Sequence, residues 1–157
     1  MSVNIIPFEP RYSSTFRDLN IAWLKKYFYV EPKDKILLKN CKEAIIDLGG
    51  YIFFACYDDK IVGCFSFMKL QDSCYELGKM AVDVQYQGLK IGQELIAFAI
   101  AFAKGKSWEK LVIYSSTKLP TALHIYRKYG FVAVELEKGS PYMRSDIKME
   151  LSLNQKI

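Results

Sequence analysis

Residues 76–93, ELGKMAVDVQYQGLKIGQ, decide the fold of this chain. An apolar strand pattern ends at 82–84, a turn carries Gly88, and a helical pattern starts near Gly92. Backbone N–H groups at a helix start lack partners within the helix, and the helix dipole adds partial positive charge there. A glycine turn lets an anion approach these groups, and Lys90 adds a full charge. The stretch predicts a phosphate cradle, although such turns also occur without a ligand.

Two common phosphate-binding motifs are excluded by the same residues. The dinucleotide fingerprint G-x-G-x-x-G is absent, and the strands that precede the turn form hairpins rather than a β-α-β unit. The P-loop is absent too, because no Gly-Lys-Ser/Thr follows the glycine. The cradle therefore belongs to another class of fold.

In the rest of the chain, apolar residues recur either at every second residue, as in strands, or about every 3.6 residues, as in helices. Apolar runs predict a strand at 3–8, a helix from Ser13 or Ser14, and a second helical region at 34–48 closed by Gly49-Gly50. The further predicted elements are strands at 51–57, 60–70 and 74–84, a helix at 90–103, a strand at 111–115, a helix at 121–129 and strands at 131–136 and 147–151. This order predicts an α+β fold with a mixed, mostly antiparallel central sheet flanked by helices. No repeat or linker interrupts it, so one domain over residues 1–157 is expected.

Composition narrows the class of ligand. The net charge of +5 suits a cofactor with several phosphates, and the basic residues form no dense block, which disfavours nucleic-acid binding. Four scattered cysteines without a C-x-x-C pair predict no metal site. No apolar run reaches the roughly 18 residues that cross a bilayer, and the first residues lack a signal-peptide pattern. A cytoplasmic protein without membrane contacts is the expectation.

A second segment, residues 115–131, adds to the first: SSTKLPTALHIYRKYGF. Together the two segments resemble the GNAT superfamily of N-acetyltransferases. Its first signature, Gln/Arg-x-x-Gly-x-Gly/Ala, is similar to residues 87–92. Its second, an alanine followed four residues on by tyrosine and then by Lys and Gly-Phe, is similar to Ala122, Tyr126, Lys128 and Gly130-Phe131. The order of the elements also fits, so the resemblance covers nearly the whole chain.

The resemblance implies the GNAT fold, with acetyl-CoA in a gap between the strands that end near Val82 and Ser115. Backbone groups of Met80, Ala81 and Val82 would bond the pantetheine arm and polarise the thioester carbonyl. The pyrophosphate would lie on the turn and helix start, formed by Gln87, Gly88, Leu89, Lys90, Ile91, Gly92 and Gln93. Tyr126 would protonate the departing thiolate. Its alternative role is aromatic packing.

Glu76 is the candidate base that takes the proton of the amine. It stands on the strand that leads into the cradle, eleven residues before Gln87, where related histone acetyltransferases place their base. A carboxylate is costly to bury without such a role. A solvated carboxylate on the strand face is the alternative, with a water relay as base.

The chain departs from the family pattern at two positions. Lys90 replaces the first glycine of the Gly-x-Gly pair, which argues against a left-handed backbone there. Ser116 is the nearest polar substitute for an asparagine that commonly precedes the second motif. These changes affect the details of cofactor contacts more than the cofactor itself.

The expected activity is acetyl transfer from acetyl-CoA, which leaves CoA, to a primary amine of a small molecule, peptide or protein, by direct attack in a ternary complex. A non-catalytic acyl-CoA sensor or partner-binding domain is the alternative. Tyr142 and Arg144, in a loop before the last strand, are expected in solvent, or else beside the acceptor with Arg144 on a carboxylate or phosphate. Aromatic residues at the end of the first helix, Trp23, Tyr27, Phe28 and Tyr29, are expected mainly in the core. Exposed strand edges allow a homodimer.

Overall fold

A computed structural model describes residues 3–153 and arranges them around one seven-stranded sheet. The strands are β1 (Val3–Pro7), β2 (Tyr51–Tyr57), β3 (Lys60–Gln71), β4 (Cys74–Val82), β5 (Lys110–Ser115), β6 (Val132–Val134) and β7 (Ile147–Ser152). Their order in the sheet is β1-β2-β3-β4-β5-β7-β6, and the β4–β5 pair alone is parallel among these. The predicted mixed, mostly antiparallel α+β fold is thus confirmed. Residues 1–2 and 154–157 of the predicted domain lie outside the described residues.

Four helices cover the sheet: α1 (Ser13–Tyr27), α2 (Pro32–Lys39), α3 (Ile91–Gly105) and α4 (Pro120–Lys128). The predicted helical region 34–48 was wrong in its bounds. Helix α2 starts earlier, with Pro32 in its first turn and the Glu31 N–H donating to the Asp34 carboxylate at 2.9 Å. It ends at Asn40 (φ −129°), and a separate π-helical turn follows at Lys42–Ile46. Within residues 3–153, none of the helices combines the length and apolarity that crossing a bilayer requires.

Three of the predicted strands are shorter than expected, and β1 is shorter by one residue only, since it ends at Pro7. Strand β4 stops at Val82 rather than at residue 84, because the Asp83 carboxylate accepts the Gln85 N–H at 3.0 Å and starts a 3₁₀ turn, Val84–Tyr86. Strand β6 keeps three residues of the predicted 131–136. Strand β4 ends beside the gap described below, whereas β6 lies at the edge of the sheet, beyond β7.

The sheet separates two apolar cores. On one face, α3 and α4 pack through Leu95, Ala99 and Leu123 against strand residues that include Tyr75 and Leu77. On the other face, α1, α2 and the π-helical turn pack through residues such as Phe16, Leu38 and Ile45. Since side chains alternate along a strand, Glu76, between Tyr75 and Leu77, points to the α1–α2 face.

A β-bulge interrupts the pairing of β3 with β4. Cys64 pairs with Ala81 and Ser66 with Gly78, so that Lys79 and Met80 together face the single residue between them on β3. Lys79 adopts φ +51°, and the hydroxyl of Ser66 donates to the Gly78 carbonyl at 3.2 Å. Bulges bend and twist a strand, and this one lies in the part of β4 that no longer pairs with its parallel neighbour β5.

Lys90 corrects one expectation from the sequence. It lies at the N-cap of α3 with φ +61° and ψ +23°. This is the left-handed conformation, which was not expected for a residue with a Cβ. The turn therefore keeps the backbone geometry of a glycine at a position occupied by lysine. A residue with a Cβ costs about 1 kcal/mol or more in this conformation.

This strain predicts the order of stability of two variants. Lys90→Gly should be more stable than Lys90→Ala by about 1 kcal/mol, because glycine alone adopts the left-handed conformation freely. Urea unfolding without ligand measures the difference. The matched pair at Lys106 (φ −84°), Lys106→Gly and Lys106→Ala, should show no advantage for glycine. A Lys90→Gly variant less stable than Lys90→Ala would contradict the assigned backbone.

Candidate active site

The site starts where β4 and β5 part. Their parallel pairing lasts for three positions, Cys74 with Lys110, Tyr75 with Leu111 and Glu76 with Val112. Beyond Glu76, β4 follows β3 and β5 follows β7, so the two strands diverge. The facing backbone edges of residues 77–82 and 113–115 are left without a strand partner. Glu76 lies at the closed end of this gap.

A cavity of about 460 Å³ occupies the gap and reaches both faces of the sheet. From the α3–α4 face, Gly92, Gln93 and Tyr126 line it. From the α1–α2 face, Trp23 and Phe28 contribute, and the loop before β7 adds Tyr142, Arg144 and Ser145. The cavity thus connects two surfaces through the sheet.

The α3–α4 side of the cavity is an anion cradle. The N–H groups of Ile91, Gly92 and Gln93 have no acceptor among residues 3–153, and the first helical bond of α3 is Glu94 N–H to Lys90 O. Gly88 adopts φ +87°, and a Cβ at Gly88 or Gly92 would meet nothing within 4 Å. Lys128, outside the cavity lining, donates to the Gln93 side chain at 3.1 Å and brings a second cation to the first turn of α3. Open space, free donors and positive charge fit a pyrophosphate.

Nearly all of the predicted site residues line this one cavity. They are Glu76, Met80, Ala81, Val82, Gln87, Gly88, Lys90, Ile91, Gly92, Gln93, Ser116 and Tyr126. Leu89 differs, because its side chain is half-exposed and outside the lining. Ser116 is buried, and its hydroxyl oxygen accepts the Lys118 N–H at 3.1 Å, so it also shapes the turn after β5.

Tyr126 faces the cavity from α4. Its ring packs on Phe131 with centroids 6.1 Å apart, and its hydroxyl makes no hydrogen bond to any other residue of 3–153. Burial raises the pKa of Tyr126 to about 12. The phenol therefore keeps its proton at neutral pH and has it available for a ligand.

Glu76 faces the cavity from the other side of the sheet. It is 3% exposed, and its Oε1 is buried with no hydrogen-bond partner among the described residues. Burial raises the pKa of Glu76, and the charges of Lys33, Lys79 and Arg144 oppose the rise. An unpartnered buried carboxyl oxygen is costly, and a raised pKa is what a general base near neutral pH requires. The alternative of a solvated strand-face carboxylate was wrong.

A buried ion network lies beside Glu76. Arg144 donates to both carboxylate oxygens of Asp34, at 2.7 and 2.9 Å, and to Glu31 at 3.1 Å. Lys79 donates to Asp34 at 2.6 Å and to the Tyr142 hydroxyl at 3.3 Å. Burial would raise the pKa of Asp34, but the bonds from Arg144 and Lys79 outweigh it and hold the pKa below its ordinary value. The Asp34 carboxylate is therefore ionised and fully partnered.

This network corrects the expectation for the loop before β7. Tyr142 is buried and Arg144 is nearly so, hence the interpretation as a solvated loop was wrong. Arg144 does contact carboxylates, but they are those of the chain itself. Asp34 and Lys79 were missed in the sequence. The lysine between Gly78 and Met80, inside an otherwise apolar strand, was the available signal.

The comparisons with known proteins agree with this geometry. The family described as Acetyltransferase (GNAT) domain matches residues 49–133, which include β4, the cradle and α4. An uncharacterized N-acetyltransferase of Dictyostelium discoideum is 33% identical over 57 residues, or 36% of this chain. The match spans about a quarter (26%) of that curated relative.

Two solved structures have the same fold over almost the whole chain. A GNAT-family acetyltransferase of Staphylococcus aureus Mu50 superposes with a TM-score of 0.85 at 22% identity, covering 98% of this chain and 100% of that one. A GNAT-family acetyltransferase of Elizabethkingia anophelis with acetyl-CoA bound gives 0.71 at 22% identity, covering 96% and 98%. With more than half of its length matched by the family and its fold shared with these structures, the chain belongs to the GNAT acetyltransferase family.

Proposed function

We propose that this chain transfers an acetyl group from acetyl-CoA to a primary amine, by direct attack of the amine in a ternary complex. One observation carries the proposal. A single cavity joins the free N–H groups at the start of α3, through the gap between β4 and β5, to the unpartnered carboxyl oxygen of Glu76. An anionic carrier on one face and an amine on the other would meet in that gap.

The cofactor would be held by the residues that line the α3–α4 side. When bound, acetyl-CoA supplies an activated thioester. Residues 88–93 would hold its pyrophosphate through backbone N–H groups and the positive end of α3. Met80, Ala81 and Val82, at the unpaired edge of β4, would orient the pantetheine arm and hold a developing oxyanion. One such pre-placed donor contributes roughly 2.7–4 kcal/mol in other enzymes.

Glu76 would accept the proton of the amine. Free amines with a pKa near 10 are mostly protonated at neutral pH, so a base is needed before attack. Glu76 lies where β4 and β5 part, on the face opposite the cradle, and its buried oxygen has no other partner. The incoming ammonium would favour its ionised form.

Tyr126 would act on the leaving sulfur from the α4 side. A phenol with a pKa near 12 is a weaker acid than a thiol, whose pKa is about 8.5. Tyr126 would therefore stabilise the departing thiolate by donating a hydrogen bond, and the thiolate would take its proton from solvent rather than from the phenol. Its hydroxyl has no competing bond within residues 3–153.

The alternative is a sensor that binds acyl-CoA without turnover. Glu76 argues against it, because a binding domain gains nothing from a buried carboxyl oxygen that is left without a partner. Nucleic-acid binding has no comparable support. A cytoplasmic location, a homodimer and the one-domain assignment of residues 1–157 stay predictions from the sequence.

The first test addresses cofactor binding and is a thermal-shift titration with acetyl-CoA and CoA, with ATP and NAD as controls. A ligand at about 100 times its Kd stabilises by about 2.7 kcal/mol, or roughly 5–10 °C for a chain of this size. Gly92→Asp should abolish the shift, because a carboxylate would enter the open space at Gly92. The fold should persist, since Asp suits the first turn of a helix. Gly92→Asn is the uncharged control and should retain part of the shift. Full affinity in Gly92→Asp would remove the cradle assignment.

Tyr126→Phe should lower kcat by about 10²-fold or more, with the Kd for acetyl-CoA and the melting temperature nearly unchanged. The hydroxyl has no bond to another described residue, so its loss should cost the fold little. Steady-state kinetics and the thermal shift measure both quantities. Tyr129→Phe, outside the cavity lining, is the matched control. Equal turnover in Tyr126→Phe would exclude the role at the sulfur.

Glu76→Gln should lower kcat by about 10²–10⁴-fold and remove an acid limb from the pH profile of kcat. Burial raises the pKa of Glu76 in the free protein and the bound ammonium opposes that rise, so the limb marks the pKa of Glu76 in the ternary complex. Saturating amine keeps the titration of the free amine out of the profile. A profile unchanged in Glu76→Gln would indicate a water relay instead.

The same variant should gain stability. The folded protein holds the pKa of Glu76 above its unfolded value, so the wild type loses stability as pH rises from about 4.5 through the folded-state pKa. Glu76→Gln lacks this loss and should melt higher than the wild type near pH 8, with the two alike near pH 4. A lower melting temperature near pH 8 would show that the carboxylate is structural.

A further inference from the structure

The charges that line the cavity are few, and their partners differ. Four charged side chains line it among the described residues, and they are Glu76, Lys79, Lys90 and Arg144. Lys90 belongs to the cradle at the start of α3. The other three lie towards the α1–α2 face, where the proposed acceptor amine would enter. Which of these three side chains lacks a partner determines which charged groups the acceptor can have.

Both cations that line the acceptor side, Lys79 and Arg144, already have a carboxylate partner. Arg144 forms its bidentate bond to Asp34, and Lys79 lies 2.6 Å from the same carboxylate. Arg144 is also held by Glu31, whose two oxygens accept the N–H groups of Met143 and Arg144. Lys33 is near, over the Tyr142 ring at 5.1 Å, but outside the lining. Among the described residues that line this side, a carboxylate or phosphate on the acceptor would find no unpaired cation, because Lys33, which has no carboxylate partner, lies outside the lining.

Among the described residues that line the acceptor side, Glu76 is the one carboxylate. Asp34 and Glu31 are buried and partnered within the network, and neither lines the cavity. Glu76 alone presents an unpartnered oxygen. A second ammonium on the acceptor would have to lose its hydration without an anion to replace it, which costs several kcal/mol unless it stays in solvent.

Much of the remaining wall on this side is apolar. Helix α1 and the residue that follows it supply Trp23, Leu24 and Phe28, and the rings of Trp23 and Phe28 lie 5.7 Å apart. The side-chain N–H groups of Asn20, the polar residue of α1 in the lining, donate to the Phe16 carbonyl at 3.0 Å and to Cys64 Sγ at 3.4 Å. Such a wall stabilises a hydrocarbon or aromatic group by burial.

We infer that the acceptor is a primary amine with a single positive charge on an apolar body, an arylalkyl- or alkylamine, and neither an amino acid nor a polyamine. The amine would lie on Glu76, and the apolar body would lie against Trp23 and Phe28. The inference rests on the proposed acetyl transfer and specifies the substrate class of that same site.

The test uses two matched pairs of acceptors with the wild-type chain and acetyl-CoA, with release of the CoA thiol as the readout. Phenylethylamine and phenylalanine differ by a carboxylate, and 1-aminohexane and 1,6-diaminohexane differ by a second amine. We expect kcat/KM at least about 10-fold higher for the first member of each pair. Equal or higher values for phenylalanine or the diamine would overturn the inference.

The binding and turnover results separate this inference from the proposed function. A thermal shift with acetyl-CoA together with turnover of charged acceptors alone, or of none of the four amines, overturns the substrate class and leaves cofactor binding intact. The absence of both shift and turnover overturns both proposals. Turnover of phenylethylamine and 1-aminohexane in preference to their partners supports both.

A pair of variants locates the apolar body. Phe28→Ala should raise KM for phenylethylamine about 10-fold while the Kd for acetyl-CoA stays unchanged, because the ring lines the acceptor side of the cavity. Tyr29→Ala, the exposed neighbour outside the lining, should leave KM unchanged. Equal effects of the two substitutions would contradict the position assigned to the amine's apolar body.

Discussion

The site depends on one constraint, the parting of β4 from β5 after three paired positions. A parallel pair that continued would satisfy the backbone groups of both strands and close the sheet. Instead, the extra residue at Lys79 bends β4, and β3 compensates by supplying the Ser66 hydroxyl to the Gly78 carbonyl. Because the edges of residues 77–82 and 113–115 do not pair with each other, a passage through the sheet stays open between them. The cavity in this gap is lined by residues from both faces of the sheet.

The ion network stabilises the same bend from the α1–α2 face. Lys79 is held in a left-handed conformation within a strand, and its ammonium lies 2.6 Å from Asp34 at the start of α2. Arg144 fixes the loop before β7 to the same carboxylate. Removing one member would leave a buried charge unpaired, which is more costly than the pair is stabilising. Three segments far apart in sequence are thereby joined around the acceptor side of the cavity.

The two sides of the cavity differ in their chemistry. The α3–α4 side presents free N–H groups, glycines and lysines, which suit an anion, whereas the α1–α2 side presents one unpartnered carboxyl oxygen and aromatic rings. Tyr126 and Glu76 face the gap from opposite faces of the sheet, as an acid and a base on either side of a transferred group would. This division is the basis for assigning one surface to the cofactor and the other to the amine.

The element order and the mixed sheet followed from the sequence, because strand and helix periods are local signals. The cradle at residues 87–93 was predicted from a glycine turn, Glu76 and Tyr126 were predicted from the resemblance to the GNAT family, and the roles of these residues stay predictions. The predicted backbone of Lys90 was wrong, because the surrounding turn imposes a left-handed conformation that a lysine by itself disfavours. Tertiary structure alone decided the burial of Tyr142 and Arg144 and the pairing of Asp34 with Lys79, 45 residues apart. Which charges are neutralised depends on which distant segments meet, and no local pattern encodes that. The unpartnered state of Glu76, on which the chemistry rests, was visible only when all its neighbours were in place.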